Sequence, residues 1–250
     1  MKMKSGLLLL CVLVGLSAKA QNWGGGVDDT NLHFGFTFQY LSSEYKILKK
    51  YDPENGINWR DSYTGDLDAG VLGPGTLNAI SSEPSPGFGI GFVVNKRLIE
   101  NTDLRFTPIL VFNDRILTYH YNKENVEKKV SSTLVEFPLG VKIKSDRRNN
   151  FRAYVLGGAK YSMDISSRKK TNNDLIDNPE LKMVNNIRNY LSYEAGLGFD
   201  LYFEYFKMSP EIKLSYSFNS VLKEEKILNR YSYPIDKLML RHVTFSLFFE

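Results

Sequence analysis

His242, Thr244 and Ser246 stand two residues apart, and with a carboxylate such as Glu194 they supply the residue types of a base, a nucleophile and an orienting acid. Such a set would suit a membrane-embedded lipid hydrolase, but its spacing argues against that chemistry. Two-residue steps put all three side chains on one face of a strand. At about 3.3 Å per residue, an i to i+4 pair lies more than about 12 Å apart, too far for proton transfer. The three histidines, His33, His120 and His242, are widely spaced and make no metal-ligand pattern. Gly24-Gly25-Gly26 and Gly89-x-Gly91 lack the strand-to-helix context of a phosphate loop. The chain therefore reads as a non-enzyme with no catalytic residue, no metal site and no cofactor.

A second set of reactive side chains is more regular. Arg105, Glu136, Lys142, Arg152, Glu194, Glu211 and Lys213 each sit inside an alternation of apolar and polar residues, always on the polar phase. Alternation with a period of two is the mark of a strand with one greasy and one polar face. Eight such runs occur, at about His33 to Tyr40, Gly87 to Asn95, Asp103 to Thr118, Val130 to Lys144, Phe151 to Met163, Tyr190 to Phe203, Met208 to Ser220, and from Leu238 onward. The second run is the sharpest, with Phe88, Ile90, Phe92 and Val94 on one face and Gly87, Gly89, Gly91 and Val93 on the other. Together they predict an all-β fold, an eight-stranded antiparallel up-and-down transmembrane β-barrel of outer-membrane type.

The competing architecture is a soluble periplasmic barrel with its apolar face inward around a ligand. Glycine separates the two. A barrel of eight strands has a narrow interior, and Gly89, Gly91, Gly140, Gly158, Gly196 and Gly198 all lie on the polar face. The other face is rich in Phe, Tyr, Leu and Val, as lipid contact requires. With the polar face inward, the seven charged residues point into the lumen. Their signs are mixed, and buried charges need partners, so the expectation is an ion-pair network that fills the barrel.

The N-terminus predicts export. Lys2 and Lys4 form a basic start, Gly6 to Leu16 an apolar stretch too short to span a bilayer, and Ala18-Lys19-Ala20 a cleavage site. The single cysteine, Cys11, lies within this leader and follows Leu10, which does not suit lipid attachment. Removal of residues 1 to 20 takes away Lys2, Lys4 and Lys19, three of the four excess positive charges. No clustered basic face remains for nucleic acid. The predicted organisation is a cleaved signal peptide at 1–20, a flexible periplasmic lead-in at 21–32, and one barrel domain at 33–250.

Connections set the orientation, because barrels of this kind pair short periplasmic turns with longer external loops. Short joins are expected near Lys96 to Thr102, Ser145 to Asn150 and Glu204 to Lys207. Longer ones are expected at about Leu41 to Pro86, Tyr119 to Lys129, Asp164 to Asn189 and Val221 to Lys237. This alternation places both termini in the periplasm. Pro108 and Pro138 interrupt their runs and predict bulges, since proline cannot donate a ladder hydrogen bond. The first long loop holds Trp59, Tyr63 and the apolar stretch Val71 to Leu77, which could pack over the barrel mouth or hold a partner. The third holds Arg168-Lys169-Lys170 and Asn172-Asn173-Asp174, a solvated mixed-charge surface. Ser145 and Arg148, in a short turn, are candidates to touch a periplasmic partner.

Several stretches resemble the PorT family, also called SprT, of the Bacteroidetes type IX secretion and gliding-motility system. They are Pro86-Gly87-Phe88 with Asn95-Lys96-Arg97-Leu98, and Asp103-Leu104-Arg105-Phe106-Thr107-Pro108 with Asp114-Arg115 and Tyr119. The resemblance continues in Glu136-Phe137-Pro138-Leu139 with Lys142-Ile143-Lys144-Ser145, Arg148-Asn149-Asn150, Tyr154 to Gly158, Asp164 and Phe248-Phe249-Glu250. It covers most of residues 33 to 250 and is most specific from Glu136 to Asp164. It implies an outer-membrane barrel needed for export of cargo or adhesins, not itself the large pore, with outer-membrane lipid and other type IX components as partners. It carries over no catalytic residue. A small outer-membrane transporter or ligand-binding barrel is the alternative.

Overall fold

A computed structural model describes residues 31–52, 57–58, 77–166, 181–224, 229 and 231–250. The predicted signal peptide, most of the lead-in, Trp59, Tyr63, Val71 to Thr76 and the Arg168 to Asp174 segment lie outside the described residues. The strands are β1 (Leu32–Lys49), β2 (Tyr51–Asp52), β3 (Ile57–Asn58), β4 (Leu77–Glu83), β5 (Ser85–Ile99), β6 (Thr102–Phe106) and β7 (Ile109–Tyr121). They continue with β8 (Asn125–Lys144), β9 (Phe151–Asp164), β10 (Asn189–Tyr202), β11 (Lys207–Ser217) and β12 (Ile235–Phe249). β2 and β3 form a small ladder of their own.

All pairings are antiparallel, and β1 bonds to β12 on one side and to β5 on the other, which closes the sheet on itself. β4 and β5 occupy one place in the ring, as do β6 and β7, so the ring has eight strands in up-and-down order. Closure leaves no unpaired edge to template aggregation.

The prolines act differently from expectation. Register runs unshifted past both, with Val94 opposite Phe106 and Gly91 opposite Ile109 on one side, and Phe106 opposite Leu139 and Ile109 opposite Glu136 on the other. No bulge is present at either proline. Each proline omits one donor but keeps its carbonyl in the ladder, Pro108 accepting from Phe92 N at 3.0 Å and Pro138 from Thr107 N at 3.1 Å. The third run is split into β6 and β7 by this local gap alone.

Two of the long joins are also shorter than expected. β1 continues to Lys49 and the next strand of the ring begins at Leu77, while β7 and β8 close a hairpin around residues 122–124. β8 is 20 residues long, about 65 Å of extended chain, where an apolar band takes only about 9–11 tilted residues. The wall therefore stands well above any band on the side built by β12, β1, β4, β7 and β8.

Within the band, Phe34, Phe36, Phe38, Tyr40, Phe88, Ile90, Phe92, Leu139, Val141 and Ile143 face outward and are exposed. Thr37, Gln39, Arg105, Glu136 and Lys142 face inward and are buried. Above it the assignment reverses. Leu41, Tyr45, Leu117, Tyr119, Tyr121, Val130, Leu134, Leu238 and Leu240 point inward and form an apolar core. Glu44 and Arg241 pair on the outside, as do Asp114 and Lys129 at 2.7 Å.

Segments from the long joins complete this crown. Val184, Val221 and Tyr231 are buried in it. Tyr119 Oη donates to the Tyr231 carbonyl at 2.6 Å, Asn186 Nδ2 to Tyr45 Oη at 2.6 Å, and Val221 N to the Leu238 carbonyl at 2.7 Å. Leu77, the last residue of the apolar stretch in the first loop, is fully buried here. Burying a Leu or Val side chain contributes about 1.5–3 kcal/mol, enough for a cluster this size to offset the cost of ordering loop backbone.

Candidate functional site in the barrel lumen

Strand parity puts the charged side chains inside, and glycine makes room for them. Gly198 faces Tyr154 across the β9–β10 ladder. A Cβ at that position would lie 2.6 Å from Cζ of the tyrosine ring, so only glycine lets Tyr154 lie flat against the wall.

The short-turn end holds the tightest cluster. Arg105 Nη1 donates to Glu211 Oε2 at 2.7 Å, and Tyr154 Oη donates to the same oxygen at 2.8 Å. Arg105 sits on β6 and Glu211 on β11, strands on opposite sides of the ring, so this pair crosses the lumen. Arg105 Nε also donates to Asn95 Oδ1 at 2.9 Å, and its guanidinium lies 4.4 Å from the centroid of the Phe248 ring. Asn95 Nδ2 and Lys207 Nζ both donate to Glu250 Oε2, at 2.6 and 2.8 Å. Lys142 Nζ reaches both oxygens of Asp200 at 2.7 and 2.8 Å, with Ser209 Oγ donating to the same carboxylate at 2.6 Å. Lys144 pairs with Asp103 at 2.7 Å.

Farther along, Lys160 holds Glu136 at 2.9 Å, and Lys213 lies 3.7 Å from Glu194 and 3.6 Å from Glu211. Of the seven lumen residues expected from sequence, Arg105, Glu211, Lys213 and Glu194 thus meet one another. Glu136 and Lys142 take partners outside that set, and Arg152 is buried on the same inner face. The partners not anticipated are Asp103, Lys144, Lys160, Asp200, Lys207 and Glu250. Each shares the inward parity of an anticipated lumen residue on its own strand or, for Glu250, of His242, Thr244 and Ser246, so strict counting in steps of two would have found them.

A buried charge stripped of its partner costs several kcal/mol, and here cation and carboxylate alternate at hydrogen-bond distance. What the arrangement does chemically is line and cross the lumen with paired charges of opposite sign. His242 Nε2 and Ser246 Oγ have no hydrogen-bond partner, so the two groups are not joined in a relay.

In the turn from Lys144 to Phe151, Arg148 and Phe151 exchange backbone hydrogen bonds of 2.9 and 3.0 Å. Asn149 takes the left-handed conformation at φ 54 that Asn tolerates better than most residues. The Ser145 hydroxyl accepts from Ala153 N at 3.1 Å and donates to the Asp146 carbonyl at 3.2 Å, so it is occupied within the turn. The Arg148 side chain is exposed.

A closed ring of antiparallel strands with an apolar exterior and a charged interior defines a transmembrane β-barrel. Residues 19–223 match the family described as outer membrane protein beta-barrel domain, and the chain belongs to that family. No curated protein matches the sequence. Among solved structures, it is similar to the outer membrane protein OprG from Pseudomonas aeruginosa, at 10% identity and TM-score 0.44, covering 87% of this chain and 93% of that one. It is also similar to AlkL, solved in lipid bilayers, at 11% identity and TM-score 0.37, covering 88% and 86%. A third is Ail of Yersinia pestis, at 9% identity and TM-score 0.35, covering 88% and 99%.

Proposed function

We propose that this barrel is a non-enzymatic anchor in the outer membrane, required for type IX protein secretion, gliding motility or both in a Bacteroidetes cell. The observation that carries the anchor reading is the Arg105–Glu211 pair across the lumen, which suits a plugged barrel better than a conduit. The link to type IX secretion rests on the sequence resemblance, strongest from Glu136 to Asp164. In this reading residues 1–20 are cleaved, residues 21–32 lead into the barrel from the periplasm, and 33–250 form the barrel domain with both termini periplasmic. The lipid of the outer membrane surrounds the apolar belt, and other type IX components dock on turns or loops.

The exposed side chain of Arg148 is the leading candidate for a periplasmic contact, with Ser145 holding its turn in shape. An Arg148→Ala protein that assembles normally yet blocks secretion supports that contact, and one that secretes normally removes it.

The test of the whole reading is a deletion strain scored for secreted cargo and surface motility, alongside heat-modifiable gel mobility of the outer-membrane fraction. A heat-shifting band together with lost secretion or motility is expected. Secretion and motility both unchanged in the deletion strain would overturn the type IX role. A second reading, a small transporter or ligand-binding barrel, draws on unbonded polar atoms of Thr37, Gln39 and Ser246 along the β1–β12 wall. Single-channel recording of the reconstituted barrel separates the two, because the anchor reading expects no conductance.

A further inference from the structure

Arg115 stands apart from the lumen network. It lies on the inner face of β7, 1 % exposed, where the charged interior meets the apolar crown. Among the described residues no carboxylate pairs with it. Its Nη1 is 3.3 Å from Ser132 Oγ and its Nη2 is 3.4 Å from Tyr190 Oη, both long for a charged donor, and its Nε has no partner at all. Tyr45 also faces it, with 5.9 Å from the guanidinium carbon to the ring centroid and the Tyr45 hydroxyl as a further polar neighbour.

Of the buried acids on the neighbouring strands, Glu136 on β8 is held by Lys160 at 2.9 Å, and Asp164 on β9 accepts from Ser166 N and Oγ at 2.9 and 2.6 Å. The buried imidazole of His242 faces the fields of both Lys160 and Arg115, and its Nε2 is unbonded. Among the described residues the Arg115 charge therefore has no carboxylate at hydrogen-bond distance to answer it. Water can satisfy a donor but cannot neutralise a buried cation, and an uncompensated one is strongly destabilising.

We infer that the lumen holds a small monovalent inorganic anion, of the size of chloride, against the Arg115 guanidinium. Nε supplies the free donor, and the hydroxyls of Ser132 and Tyr190 can turn to donate as well. The Arg115 guanidinium carries one positive charge, so a monovalent ion balances it where a divalent one would reverse the sign. Leu117, Leu134 and Leu240 are buried in the crown on the loop side of Arg115, and the Arg105–Glu211 pair crosses the lumen on the turn side. The anion is accordingly a structural counter-ion, taken up on folding and slow to leave. A ligand that binds the folded state alone also shifts the folding equilibrium toward it.

The probe is bromide. The full chain is refolded in detergent with bromide as the only halide, desalted, and its bromide counted by X-ray fluorescence against protein, with folding verified by the heat shift on gels. One bromide per folded chain is expected, with near-complete loss in a folded Arg115→Gln variant. If that variant does not fold, the Ser132→Ala, Tyr190→Phe double variant is expected to retain several-fold less bromide than the parent. Folded parent protein that carries no bromide overturns the inference. Bromide retained equally in a folded variant overturns it too, because the ion would then sit elsewhere.

Discussion

Along β8, Ile143, Val141 and Leu139 point outward near the short turns, and Lys129, Glu127 and Asn125 point outward near the loops, although one uninterrupted strand carries both sets. The inward residues invert in step, from Lys144, Lys142 and Glu136 to Leu134 and Val130. β1 does the same, with Phe36, Phe38 and Tyr40 outside giving way to Glu44 and Lys46, while Thr37 and Gln39 inside give way to Leu41 and Tyr45. The backbone pattern is unchanged across the switch, so the strand itself is indifferent to which face is apolar. The solvent decides. Where hydrocarbon surrounds the wall the apolar face goes out, and where water surrounds it the apolar face goes in and builds an ordinary core.

The two regions should therefore fail differently. Glu211→Ala strikes the band interior hardest, leaving the buried Arg105 guanidinium and the Tyr154 hydroxyl without their shared acceptor. A loss of about 3–5 kcal/mol is expected, read as a lower urea midpoint for the heat-modifiable folded form in detergent. Replacing Arg105 and Glu211 together by Met should recover much of it, since the penalty comes from the orphaned charge. Equal loss in single and double variants would mean that packing, not charge balance, holds the band.

In the crown, Leu134→Ala removes a side chain that is 0 % exposed and should cost about 2–5 kcal/mol by cavity formation. The distinguishing readout is local. Protease should nick the β7–β8 hairpin near residues 122–124 while the heat shift of the band persists. Global unfolding without a nicked, heat-shifting intermediate would show that crown and band are one cooperative unit.

The band was legible in the sequence because its two faces differ so sharply, and Phe88 to Val94 against glycine admits little else. The crown was not. At Tyr40-Leu41 and again at Leu134-Val135 two apolar residues stand side by side, marking the level at which the phase inverts. The first run was cut short at Tyr40, whereas the fourth was carried through Leu134 to Val130 and stopped there, where Asn125 to Lys129 are mostly polar and charged, so the β7–β8 hairpin was taken for a loop. The lumen site was legible to the extent that parity was followed. Arg105 and Glu211 were found, whereas Lys160, Asp200 and Glu250 obey the same parity but lay outside the chosen set. That Arg105 reaches Glu211 across the ring depends on barrel closure, which no local pattern encodes. Arg115 was visible only as part of a family-like stretch, because isolation from carboxylates is a property of three-dimensional neighbours.

The same substitution placed in both regions sharpens the contrast further. Ile212 lies midway along β11 on the outer face, 50% exposed, and Ile116 lies on the outer face of β7 in the crown beside Lys129 and Glu83. Ile212→Arg should cost about 2–4 kcal/mol of stability in a bilayer, as charge at the apolar midplane does. Ile116→Arg should cost about 0–1 kcal/mol, since its side chain meets water and stands between charges of both signs, Glu83 and Lys129. Refolding into lipid vesicles with urea titration compares them directly. Similar losses at both sites would mean that lipid reaches the crown and that the inversion has another origin.

The smallest effect tests the crown's outer surface alone. Asp114 and Lys129 pair at 2.7 Å, but their side chains are 44% and 60% exposed. An exposed pair gains little Coulomb energy in water and loses side-chain freedom to hold its geometry. Asp114→Asn should therefore shift the unfolding midpoint by the equivalent of about 0–1 kcal/mol, and raising the salt concentration should abolish the difference. A loss as large as that of Glu211→Ala, and insensitive to salt, would place Asp114 in a low-dielectric setting. The apolar belt would then extend past the level where the strand phases invert, and the boundary between the two regions would have to move toward the loops.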